Sequence, residues 1–136
     1  MRRLLDPTPD VHLPAAVAWD AYETACERLM PADASASPSL DQVLAMPRLE
    51  AYYMQHSTFL KANELIDPVS QFRHVPAIIV HGRYDILCPV EGTVKSAEAW
   101  PEAKLVIVVD AGHSARESGI RRHLLEATHQ FRTLGD

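Results

Sequence analysis

The sequence predicts an α/β fold in which a helical first half leads into a βαβα unit of parallel sheet. Three observations carry that reading. Ile78-Ile79-Val80 and Val106-Ile107-Val108-Val109 are continuous β-branched runs, which suit parallel strands covered on both faces better than the half-exposed strands of an antiparallel sheet. The stretch between them, 90–100, has helical character, and so does 119–134 after them, with Ile120, Leu124, Ala127 and Phe131 spaced for one inward face. The chain before residue 75 shows helical spacing and no strand pattern.

Taken in order, Asp6 to Pro9 is a turn signal, and residues 14–30 place Ala15, Ala16, Ala18, Trp19, Tyr22, Ala25, Cys26 and Leu29 on one broad face of a helix. Residues 31–39, rich in Ala, Ser, Asp and Pro without periodicity, read as a loop. A second helix is expected over 49–59, where Leu49, Tyr52, Tyr53, His56 and Phe59 share a side, and a short third over 60–67, with 68–74 connecting onward. The predicted division is a helical segment, 1–74, and a sheet-forming segment, 75–136. A βαβα unit standing alone leaves strand edges open to association.

With 136 residues, 47% of them hydrophobic, the chain has about the length and apolar content of one ordinary domain. A net charge of −5 argues against nucleic acid or an anionic membrane as the main partner, since an acidic surface is repelled by both. Cys26 and Cys88 form no C-x-x-C spacing, so neither a metal knuckle nor a disulfide framework is indicated, and a reducing compartment fits. The first residues hold no apolar core of the kind a signal peptide needs, and no apolar stretch approaches membrane-spanning length. A soluble, cytoplasmic protein is expected.

The chemistry-bearing pattern is an acid and a base, each just past a strand. Pro76 to Asp85 reads P-A-I-I-V-H-G-R-Y-D, and Asp110-Ala111-Gly112-His113 repeats that logic after the second run. On spacing alone Asp85 could equally cap a turn, and His113 could be a surface loop histidine. No G-x-S-x-G nucleophile elbow occurs in the chain.

Five segments carry a family likeness: H-G-R-Y-D-I-L-C-P-V at 81–90, A-W-P-E-A at 99–103, D-A-G-H-S-A at 110–115, A-W-D-A-Y-E at 18–23 and R-L-E-A-Y-Y at 48–53. Together they resemble the carboxy-terminal part of the prolyl aminopeptidases, or proline iminopeptidases, which are α/β-hydrolases with a helical cap inserted into the sheet. The likeness covers nearly the whole chain. It implies a C-terminal fragment of an α/β-hydrolase: the remainder of the cap over 1–74, then the part of the core that bears the catalytic acid and base over 75–136. The strands, oxyanion-hole loop and nucleophile elbow that precede the cap in the family have no counterpart here.

By this resemblance Asp85 is the triad acid, which holds the imidazole of His113 in the right tautomer, and His113 is the general base. Glu23 and Glu50 take the family's places for the carboxylates that bind the free α-amino group of the substrate. By sequence alone both read as solvated helix glutamates. Two close carboxylates repel unless a cation sits between them, a reason for such a pair to prefer an amine. Cys88 matches a cysteine common near the family's site, or is a small buried hydrophobe. Trp19, Tyr22, Tyr52, Tyr53 and Tyr84 either line a pocket for a proline ring or are core. Ser114 and Ser118 sit on no elbow and are poor substitutes for the nucleophile. Tyr22 stands at the family's usual cap Trp and Tyr52 at its usual His, which bears on substrate preference more than on reaction class.

The resulting expectation is a portion of a cytoplasmic serine aminopeptidase that releases amino-terminal proline from peptides, needs neither metal nor organic cofactor, and is inactive without the missing amino-terminal half. Two rivals stand beside it: a hydrolase of esters, epoxides or haloalkanes, and a non-catalytic remnant or interaction module that pairs through its strand edge.

Overall fold

The computed structural model describes residues 1–30 and 40–132. The loop expected at 31–39 lies outside the described residues. The chain forms two compact units, one made of Met1–Ala25 and Ala32–Glu64, the other of Cys26–Pro31 and Leu65–Asp136.

In the first unit, Asp6 Oδ1 accepts the Thr8 N–H at 2.8 Å, and the Thr8 carbonyl accepts from Val11 and His12, which starts helix α1 (Pro9–Cys26). Pro9 occupies the first helical position, where its missing N–H costs nothing. The helix runs through Pro14, where the sequence pattern had suggested a start. Asp10, whose carbonyl Pro14 cannot serve, is exposed and open to water. The helix ends at Cys26 and not at residue 30, because the next carbonyl, that of Glu27, accepts other N–H groups, and Pro31 has no N–H to close a turn on it.

Helix α2 (Leu40–Gln55) likewise begins ahead of the expected 49 and passes through a proline, Pro47. Val43, Pro47 and Ala51 recur every four residues along a buried stripe. Val43 and Ala51 pack with Leu4 and Ala16, and Leu5, Ala15, Trp19 and Leu44 close around them. That burial offsets an interior proline's cost of about 3 kcal/mol.

After Gln55 the chain departs from the helix expected to reach 59. Ser57, Thr58 and Phe59 take φ of 52°, 54° and 60° in a tight 3-10 turn. Left-handed backbone costs L-residues roughly 1–2 kcal/mol each. Local contacts oppose it: Thr58 Oγ1 donates to the Ser57 carbonyl at 2.7 Å, and the His56 and Phe59 rings stack at 5.1 Å.

The helix expected over 60–67 is absent. That stretch is a series of turns, with Asn63 left-handed at φ 62° and the Glu64 side chain accepting the Lys61 N–H. Pro68 also disfavours helical backbone at Asp67. In the second unit a four-residue helix, α3 (Val69–Phe72), follows, and Val69 is buried.

Strands β1 (Ile78–Gly82) and β2 (Lys104–Val108) pair in parallel, with Ile78 beside Lys104 and Gly82 beside Val108. Helix α4 (Val90–Ala99) makes the crossover, and α5 (Ser118–Arg132) closes the βαβα unit. This is the mixed α/β architecture that the β-branched runs predicted. Val108, Ala111 and Ile120 form its core, with Val80 and Val106 against them. Of the four positions expected to face inward on α5, Ile120 and Ala127 are buried, while Leu124 and Phe131, against that expectation, are exposed. Two strands spaced about 4.8 Å apart are narrower than a helix about 10 Å across, so they cannot cover its whole apolar face. Among the described residues no helix is long and apolar enough to cross a membrane.

Candidate active site

Parallel strands that pair in register end side by side, so the loops after β1 and β2 meet. Arg83 N–H donates to the Val108 carbonyl and Tyr84 N–H to that of Ala111, each at 2.9 Å. Gly82 permits the approach. A Cβ there would lie 1.9 Å from the Gly112 carbonyl oxygen and 2.7 Å from that of Ala111.

Asp85 sits in the turn that this contact creates and is only 7% exposed. Its Oδ1 accepts the N–H groups of Leu87 at 3.1 Å and Cys88 at 2.8 Å. Its Oδ2 faces His113, whose Nδ1 lies 2.9 Å away. A carboxylate accepts, so Nδ1–H donates and the opposite nitrogen, Nε2, carries the lone pair.

The backbone around His113 is held from two directions. The Glu27 carbonyl accepts the N–H of His113 at 2.9 Å and of Ser114 at 2.8 Å, and Glu117 Oε1 accepts the N–H of Gly112 at 2.7 Å. The His113 side chain is 40% exposed against 5% for that of Asp85. A buried acceptor thus fixes the tautomer of a ring that remains open to a reactant, the arrangement general-base chemistry needs.

Three participants escaped the sequence reading. His81 Nε2 approaches Asp85 Oδ2 at 3.4 Å, so two histidines flank one carboxylate. The spacing of four residues across the end of a strand was the available signal. Glu117 and the Glu27 carbonyl act through backbone N–H groups of the His113 loop, which no side-chain motif reveals.

Cys88 follows in the same turn. It is exposed as a residue, yet its neighbours crowd the sulfur, and desolvation, followed by the charge of Asp85, pushes the thiol above its ordinary range. Ser114 is buried, and its hydroxyl accepts from the Arg116 N–H at 3.4 Å, while Ser118 is exposed at the start of α5.

Glu23 and Glu50 belong to the first unit. Glu50, on α2, is half-buried and accepts the Trp19 indole N–H at 3.0 Å. Glu23 is half-buried on α1, one helical turn beyond Trp19. By helical spacing Trp19, which donates to Glu50, shares a face of α1 with Glu23. Tyr22, Tyr52, Tyr53 and Tyr84 are exposed, and Tyr52 and Tyr53 contact His56 or Phe59 in an aromatic cluster.

Residues 57–125 match the family model of the TAP-like proteins, α/β-hydrolases, across Asp85 and His113. The chain is 34% identical over 133 residues to a probable proline iminopeptidase of Leptolyngbya boryana, an alignment that covers 96% of the chain and 41% of that protein. It is 36% identical over 136 residues to a proline iminopeptidase of Arabidopsis thaliana, covering 98% of the chain and 36% of the relative. It is 36% identical over 133 residues to the proline iminopeptidase of Xylella fastidiosa strain 9a5c, covering 96% and 42%. The chain thus spans about two fifths of the length of the curated relatives it matches. With a parallel βαβα unit whose two post-strand loops join Asp85 to His113, and with that match over half its length, the chain belongs to the TAP-like family of α/β-hydrolases.

Proposed function

We propose that this chain supplies the acid and base of a serine aminopeptidase that removes amino-terminal proline from peptides. The observation that carries the reading is the 2.9 Å contact between Asp85 Oδ2 and His113 Nδ1, with Oδ1 engaged by two backbone N–H groups. His113 Nε2 takes the proton of a serine hydroxyl as it attacks the prolyl carbonyl and returns it to the leaving amine, while Asp85 stabilises the imidazolium formed between the two steps. The serine comes from polypeptide outside these 136 residues, which contain no G-x-S-x-G. Glu23 and Glu50 bind the protonated α-amino group, which makes a free amino terminus the condition for turnover. No step in this scheme calls for a metal or an organic cofactor, and two free thiols suit a cytoplasmic setting.

The test joins this chain to the segment that precedes the matched region in the Xylella proline iminopeptidase. The fusion should hydrolyse proline p-nitroanilide, and His113→Ala should lower kcat by on the order of 10⁴-fold or more. Glu23→Gln and Glu50→Gln should each cost roughly 10- to 100-fold in kcat/KM toward that substrate, the value of a hydrogen-bonded charge, and leave an amine-free p-nitrophenyl ester unaffected. The chain alone should turn over neither. A folded fusion that cleaves the ester, ignores the prolyl anilide and is indifferent to both glutamate changes would overturn the reading in favour of an esterase.

A further inference from the structure

Two histidines face one carboxylate, and only one of them has a task in the reaction above. His81 stands at the end of β1 with its side chain 15% exposed. Its Nε2 lies 2.9 Å from the Cys88 carbonyl oxygen and 3.4 Å from Asp85 Oδ2, and its Nδ1 lies 2.9 Å from Thr93 Oγ1 on α4.

The chemistry of these partners fixes the proton. A backbone carbonyl only accepts, so Nε2 of His81 must carry the hydrogen. In a neutral ring Nδ1 then has a lone pair, and the Thr93 hydroxyl must donate to it. The Cys88 carbonyl held from one side belongs to the same residue whose N–H holds Asp85 Oδ1 from the other. The imidazole therefore ties the Cys88 end of the 85–88 turn to β1, and Cys88 in turn holds Asp85.

We propose that His81 is a positioning residue for Asp85: the Cys88 carbonyl fixes it as the Nε2–H tautomer, the Thr93 hydroxyl holds the ring by donating to Nδ1, and the Nε2–H clamps the Cys88 carbonyl so that Asp85 keeps Oδ2 turned to His113. This rests on the reading of Asp85 and His113 as an acid–base pair. It assigns the two histidines opposite tautomers around a single carboxylate, His113 protonated on Nδ1 and His81 on Nε2. The neutral form of His81 leaves the Asp85 charge to His113. An imidazolium at the same distance would compete for Oδ2 and turn the Thr93 hydroxyl from donor to acceptor.

The experiment is ¹⁵N–¹H NMR of the histidine rings in the chain itself, which needs no catalysis. In the unmodified chain His81 should show Nε2 protonated and Nδ1 unprotonated. Thr93→Val, which keeps the side chain's shape, should leave Nε2 protonated but free the ring at Nδ1, and so shift the His113 Nδ1–H resonance and speed amide exchange at Leu87 and Cys88 by roughly three- to tenfold, the loss of about one net hydrogen bond. Thr93→Ser should restore both. His81→Gln, with an amide that can still donate near the Nε2 position, should keep exchange at Cys88 closer to normal than His81→Leu does. A proton on Nδ1 of His81, or a folded Thr93→Val chain with His113, Leu87 and Cys88 unchanged, would overturn the proposal. Asp85→Asn separates the two ideas: if it leaves the His113 Nδ1–H signal where it was, the acid–base pair fails, whatever His81 does.

Discussion

Gly82 sets how closely the acid-bearing loop approaches the base-bearing one. Gly82→Ala would bring a methyl group within 1.9 Å of a backbone oxygen, a distance no rotamer can relieve, so the two loops must separate. Overpacking of this kind costs about 1–3 kcal/mol, and with backbone as the obstacle the upper end is expected. A chemical-denaturation midpoint lowered to match would check it, alongside loss of the His113 Nδ1–H signal. Cys88 offers a second residue-scale test. Its thiol is raised first by desolvation and then by the negative charge of Asp85, so the thiolate fraction at neutral pH is small. Alkylation by iodoacetamide at pH 7 should be slower than for an unstructured cysteine peptide. Asp85→Asn should speed it only in part, because the larger contribution, desolvation, remains. A rate equal to the peptide's would contradict this account.

At the scale of elements, Arg73 just after α3 and Glu102 just before β2 form a bidentate ion pair, with Arg73 Nε 2.8 Å from both carboxylate oxygens. The hydrogen bonds from Arg73 hold the Glu102 carboxyl below its ordinary range. A carboxyl depressed in the folded state contributes stability that is present above its unfolded pKa and lost as pH falls through the folded one. Both side chains are well exposed, so solvent screening keeps the effect small. Glu102→Gln should lower the melting temperature slightly at neutral pH and leave it unchanged at the acid end, so that the two proteins' curves converge on acidification. The parts of the fold legible in the sequence are those where one local pattern decides. The β-branched runs at 78–80 and 106–109 became paired strands because such runs have few other ways to bury themselves. The helices start ahead of the expected 14 and 49 and run through Pro14 and Pro47, since apolar spacing alone marks no start and does not show the packing that offsets a proline's cost, which for Pro47 is complete burial. The turns over 60–67 depend on a left-handed Asn63, to which helical periodicity is blind.

For the molecule as a whole, the proximity of Asp85 and His113 was legible because each follows a strand, and paired parallel strands deliver their ends to one place. What holds them there was not. His81 acts through a hydroxyl 12 residues away and a carbonyl seven away, and the His113 loop leans on the carbonyl of Glu27. Peptide groups are the same whatever the side chain, so the two carbonyl contacts leave no mark in residue types, and a His and a Thr 12 residues apart form no motif. That Glu27 contact also governs where the molecule could be divided. Cys26–Pro31 belongs to the second unit although the rest of that unit begins at Leu65. An expression boundary drawn just ahead of the strands would keep every side chain of the acid–base pair and discard the acceptor of two amide hydrogens beside the base. The smallest piece that preserves the pair's surroundings is therefore discontinuous along the chain, and a trimmed version would need those few residues grafted back through a new linker.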